Sequence, residues 1–101
     1  MIEITYGSRE PPSLYIRGHS GYSTEGTDIV CASVSALFLT MVNSINEYTN
    51  DLVSARMEPG DGALIWRGHC SEKARLLLDS CLLGLRAVAE QYPDYVKFDI
   101  A

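Results

Sequence analysis

A chain of 101 residues, 47% of them hydrophobic, suits one domain (residues 1–101) around one core and leaves no room for a second. Its 8 Lys and Arg against 13 Asp and Glu give a net charge of −5, and the basic residues are scattered without a run of neighbours. That pattern argues against direct nucleic-acid binding and favours basic or neutral partners, while three cysteines with no export signal before them argue for free thiols rather than a disulfide framework.

Met1 is followed at once by Ile2, Ile4 and Tyr6 alternating with Glu3 and Thr5, which predicts a half-buried strand. A secretory leader would show a basic segment and an apolar core there, so the expected location is cytoplasmic. Gly7 to Pro12 make a turn, and Ser13 to Gly18 offer a second strand with Leu14 and Ile16 on one face, so the two are expected to pair as a hairpin. His19 then stands where a strand ends and a polar loop begins. That loop carries Gly21 and Gly26 with Ser20, Ser23, Thr24 and Thr27, and buries little of its own. The two glycines can be plain turn residues or the hinges of a loop that closes over a substrate.

A helix is predicted from Asp28 onward, with Thr27 or Asp28 as its cap, ending near Tyr48 to Asn50. Val30, Val34, Leu37, Phe38, Met41, Val42, Ile45 and Tyr48 follow helical spacing, and Ile29, Ala36 and Leu39 widen the apolar surface, so cover on more than one side is expected. The longest apolar run, Ile29 to Val42, is too short to span a bilayer and is broken by Ser33, Ser35 and Thr40, so no membrane association is expected.

Leu52 to Met57 and Gly62 to Gly68, separated by Glu58-Pro59-Gly60-Asp61, predict a second hairpin. Ser71 caps a second helix with Ala74, Leu77, Leu78, Cys81, Leu82, Leu85, Val88 and Ala89 at three- and four-residue intervals, and Pro93 stops it. Val96, Phe98 and Ile100 alternate as a last strand. The order ββαββαβ implies an α/β (α+β) fold: one mainly antiparallel sheet of about five strands with two helices packed on it. Leu14 to His19 is echoed by Leu64 to His69, a weak similarity rather than evidence of duplication.

The chemistry concentrates at His19 and Cys31, twelve residues apart. Cys31 falls in the first turn of its helix, where unpaired N–H groups carry partial positive charge, so a thiol there ionises more easily and an adjacent imidazole can take its proton. The same N–H groups could receive the oxyanion of a tetrahedral intermediate. Asp28 can serve as the helix cap or orient His19, and one carboxylate cannot fully do both. Ser35, one turn after Cys31, can bond back to a helix carbonyl or face the site. Cys81, on the apolar stripe, reads as core. His69 and Cys70 would be unusually spaced zinc ligands with His19 and Cys31, so neither a metal nor any other cofactor is expected.

The run from Gly18-His19 through Gly26-Thr27-Asp28-Ile29-Val30-Cys31-Ala32-Ser33-Val34-Ser35-Ala36-Leu37 resembles the ribosomal-processing cysteine protease family, Prp. The likeness rests on the histidine, the cysteine, their separation, the G-x-D-I-V-C-A-x-V-S motif and Tyr92-Pro93 near the second helix end. The resemblance implies a small bacterial endopeptidase that removes the N-terminal extension of a large-subunit ribosomal protein, cutting after an apolar, aromatic-containing stretch. It makes Cys31 the nucleophile and His19 the base, gives Asp28 and Ser35 supporting positions, and implies a homodimer, for which Leu76 and Leu83, off the main stripe of the second helix, offer a separate motive. The alternative is a non-catalytic peptide- or ribosome-binding module in which Cys31 is inert.

Overall fold

The structure, a computed structural model, describes residues 1–24 and 26–101. Alternation at the start of the chain forms β1 (Ile2–Gly7) and β2 (Ser13–Arg17), an antiparallel hairpin in which Ile4 faces Ile16 and Tyr6 faces Leu14. Then follow α1 (Ile29–Tyr48), β3 (Val53–Glu58), β4 (Asp61–Trp66), α2 (Glu72–Gln91) and β5 (Val96–Ile100). The expected order ββαββαβ is the one observed.

The strands lie in the order β3-β4-β2-β1-β5 in a single mixed sheet. The two hairpins meet through an antiparallel β2–β4 pair, Leu14 opposite Leu64, whereas β5 joins the far edge parallel to β1, Ile2 opposite Val96. Each helix is therefore a crossover between strands that run the same way, α1 from β2 to β3 and α2 from β4 to β5. The two crossovers leave oppositely directed strands and travel in opposite directions across the sheet. With the right-handed connection that strand twist favours, both helices land on the same face.

That face holds the core. Ile2, Ile4, Leu14, Ile16, Leu64 and Trp66 from the sheet pack with Val30, Val34, Phe38, Met41 and Ile45 of α1 and with Ala74, Leu78, Cys81 and Leu85 of α2. Cys81 is core, as its place on the stripe implied. The helices approach closely at Gly84, where a Cβ would stand 2.8 Å from Leu37 Cδ2. The other sheet face is polar and carries the paired Arg56 and Asp61, with Nε 3.0 Å from Oδ2 and Nη2 3.2 Å from Oδ1.

Two expectations about α1 need correction. Ile29, Ala36, Leu39 and Tyr48 are exposed, so the helix is covered on one side only, by the sheet and α2. The helix as a whole, Ile29–Tyr48, is also long and apolar enough to cross a membrane by length and composition, which the shorter run Ile29 to Val42 did not suggest. Its buried stripe nevertheless packs into the protein's own core, from Val30 to Ile45.

Candidate active site

The site forms where β2 gives way to the loop leading into α1. Gly18 ends the strand at φ +95°, a left-handed conformation that glycine adopts without strain, and its N–H donates to Gly60 O at 2.9 Å. This bond ties the β3–β4 turn to the end of β2. Gly60, at φ +73°, lies directly beneath the His19 ring, and a Cβ there would come within 2.6 Å of His19 Nε2. His19 itself is exposed.

On the other side of the loop, Asp28 has extended backbone (φ −79°, ψ 100°) and caps α1. Its Oδ1 accepts from the N–H groups of Val30 at 3.0 Å and Cys31 at 2.9 Å, two of the amides a helix start leaves without intrahelical partners. Its Oδ2 accepts from the Ser20 hydroxyl in a short bond and from Ser23 N at 3.3 Å. The Ser20 hydroxyl lowers the pKa of Asp28 most; against the pull of burial, it and the backbone amides of Cys31, Ser23 and Val30 hold the carboxyl at about 2, below its ordinary 3.8. Among the described residues no hydrogen bond joins Asp28 to His19, and the cap is the role the geometry displays.

Cys31 is half-buried, and its Sγ accepts from the Ser20 backbone N–H at 3.3 Å. The expectation that the first-turn amides stand ready for an oxyanion is revised accordingly. Those of Val30 and Cys31 already donate to Asp28, and the amide that reaches the sulfur comes from the loop. Ser35 faces the site, and its hydroxyl makes no hydrogen bond among the described residues, whereas the neighbouring Ser33 bonds back to Ile29 O at 2.7 Å.

His19, Cys31, Asp28 and Ser35 line one cavity of about 500 Å³. Its floor and far wall are apolar, with Ile16, Val34, Phe38 and Met57, and Gly21 and Gly26 stand at its rim with φ of +72° and +88°. No hydrogen bond joins His19 to Cys31 among the described residues, and the imidazole rests against Gly60. His69 and Cys70 follow β4, which runs antiparallel to β2, so they lie at the opposite end of the sheet and do not assemble with His19 and Cys31.

The other two thiols contrast with Cys31. Burial raises Cys70, only partly offset by Arg75 nearby, and burial alone pushes Cys81 up to about 12.

The family model described as "Cysteine protease Prp" matches residues 1–97. The chain belongs to the Prp family. The ribosomal processing cysteine protease Prp of Staphylococcus aureus is 27% identical over 84 residues, covering 81% of this chain and 79% of that protein, and its Bacillus subtilis counterpart is 26% identical over 97 residues, covering 84% and 81%. A crystal structure of the S. aureus Prp with a covalently linked product peptide superposes with a TM-score of 0.92 over the full length of both chains, at 23% identity. The Prp fold thus extends over β5, beyond the residues that the family model matches.

Three participants in the site escaped the sequence reading. Ser20 looked like one more small polar loop residue, and only its neighbour His19 could have flagged it. Met57 and Gly60 sit in a hairpin forty residues from the histidine, and the β2–β4 pairing that brings them there leaves no local trace in the sequence.

Proposed function

We propose that this chain is a cysteine endopeptidase in which Cys31 is the nucleophile and His19 the general base, and that its substrate is the N-terminal extension of a large-subunit ribosomal protein. The observation that carries the proposal is the shared cavity. A helix-start thiol and a strand-end histidine both line it, with a backbone N–H already donated to the sulfur. His19 would take the thiol proton, and the thiolate would add to the scissile carbonyl. The imidazolium would then protonate the leaving amine, releasing the mature protein and leaving a thioester on Cys31. Water, deprotonated by His19, would hydrolyse that thioester and free the extension as a carboxylic acid. The imidazole has only to swing from Gly60 toward Cys31 as the peptide fills the cavity, a tightening common on substrate binding.

The apolar wall of Phe38, Met57 and Ile16 suits an apolar or aromatic side chain next to the scissile bond, and the covalently linked product in S. aureus Prp fits a thioester-forming cysteine. We further propose a cytoplasmic homodimer that acts without cofactor, metal or direct contact with nucleic acid.

A peptide spanning the extension's cleavage site tests the assignment. Cys31→Ala is expected to fold and to cleave nothing. His19→Ala is expected to slow cleavage by roughly 10²- to 10⁴-fold, the range general base catalysis supplies. Cleavage by the alanine variant at Cys31 would remove Cys31 as the nucleophile, and no cleavage by the parent chain would leave it as a peptide-binding module.

A further inference from the structure

We infer that Ser20 is a positioning residue for the Cys31 thiolate: its hydroxyl, anchored on Asp28, holds its own backbone N–H against the sulfur. This inference rests on Cys31 being the nucleophile. The contacts form a closed circuit. Cys31 N donates to Asp28 Oδ1, the Ser20 hydroxyl donates to Asp28 Oδ2, and Ser20 N donates back to Cys31 Sγ at 3.3 Å. Tyr22 N completes the Ser20 side chain by donating to Oγ at 3.0 Å. Ser20 is only 4% exposed although it sits in a polar loop between an exposed histidine and an exposed glycine, so its burial follows from these bonds and not from an apolar side chain.

The circuit matters for catalysis because a backbone N–H favours the charged form of the atom it donates to, here a thiolate. An N–H in a glycine-bearing loop would wander unless something fixed it. Asp28 is itself fixed at the start of α1, so the Ser20 hydroxyl refers the loop amide to the same helix end that carries the sulfur. The residue next in line is His19. Holding Ser20 therefore also sets where the base leaves the sheet.

The readout is the pH profile of Cys31 alkylation by iodoacetamide, followed by mass spectrometry, with cleavage measured alongside. Ser20→Ala is expected to move the alkylation midpoint upward by about one pH unit, and with it to lower kcat near neutrality up to about tenfold while leaving KM unchanged, the loss recovering at higher pH. Ser20→Thr and Ser20→Val have the same shape and differ by one hydroxyl. The threonine is expected to keep the parental profile and the valine to shift it, whatever either costs in folding. Matching profiles for these two, or an unshifted alanine variant, would overturn the inference while leaving the nucleophile assignment intact. That assignment falls separately, by cleavage in Cys31→Ala.

Discussion

At the scale of single residues, Asp28 joins the start of α1 to the loop that precedes it. Its two oxygens divide the work, Oδ1 serving the helix amides and Oδ2 the loop. All four donors stabilise the ionised form, which is why the carboxyl is held to about 2. A depressed carboxylate contributes stability above its unfolded value, near 3.8, and loses it as pH falls through the folded value. Asp28→Asn is therefore expected to flatten the acid limb of the stability curve between about pH 4 and pH 2, measured by urea unfolding at a series of pH values. A limb unchanged from the parent would mean that the native carboxylate gains nothing from its four donors. Thiol chemistry gives a second prediction at this scale. Near neutral pH, iodoacetamide is expected to label Cys31 well before Cys70 or Cys81, since burial raises both of the latter and Cys81 lies at about 12. Labelling of all three at one rate would count against a distinct microenvironment at Cys31.

At the scale of elements, the loop between β2 and α1 is fastened more firmly than its composition suggests. Besides the Ser20 and Ser23 bonds to Asp28, the Tyr22 ring meets Tyr92 and Tyr95 edge to face, with centroids 5.6 and 5.2 Å apart, at the corner between α2 and β5. Such contacts are worth about 0.5–1.5 kcal/mol each beyond burial, so Tyr22 acts as a latch of roughly 1–3 kcal/mol. Tyr22→Ala is expected to speed amide hydrogen exchange at Tyr22 and Ser23 by about tenfold or more and to leave α1 untouched. Small-reagent alkylation of Cys31 should change little, because Ser20 keeps its own anchor. If exchange in the loop does not change, the aromatic contacts do not govern its opening. A proline at Gly21 would be no stiffener: Gly21 has φ +72° and proline is confined near −65°. The sequence displayed the glycines but not the latch, since periodicity reports only on a residue's own element. The strands, the helices and the Asp28 cap were legible for that reason. The parallel entry of β5, the Gly60 floor under His19 and the Tyr22 latch were not, because each depends on a contact distant in the chain.

At the scale of the whole molecule, one chain leaves an apolar surface that its own fold does not cover. Leu76 and Leu83, two turns apart on α2, are 71% and 73% exposed, and neither belongs to the stripe that packs on the core. A two-fold axis through this face would bury the pair from each protomer against its copy, the self-complementary contact that closed dimers use. Four leucines at about 1.5–3 kcal/mol for full burial give roughly 4–9 kcal/mol after allowing for what is already covered, against an association cost of about 4–15 kcal/mol. The leucines alone therefore make at most a weak dimer, and polar contacts around them must set the affinity. Light scattering at micromolar concentration is expected to report twice 11.1 kDa for the parent chain and 11.1 kDa for a Leu76→Glu, Leu83→Glu double variant. Because the described residues that line the cavity around Cys31 come from β1, β2, the loop into α1, α1 and the β3–β4 hairpin and none from α2, that variant is expected to retain an intact thiol profile as a monomer. A parent chain that scatters as a monomer would remove the dimer. A double variant that stays dimeric would move the interface to another exposed face, such as Tyr48 and Leu52 beyond the end of α1.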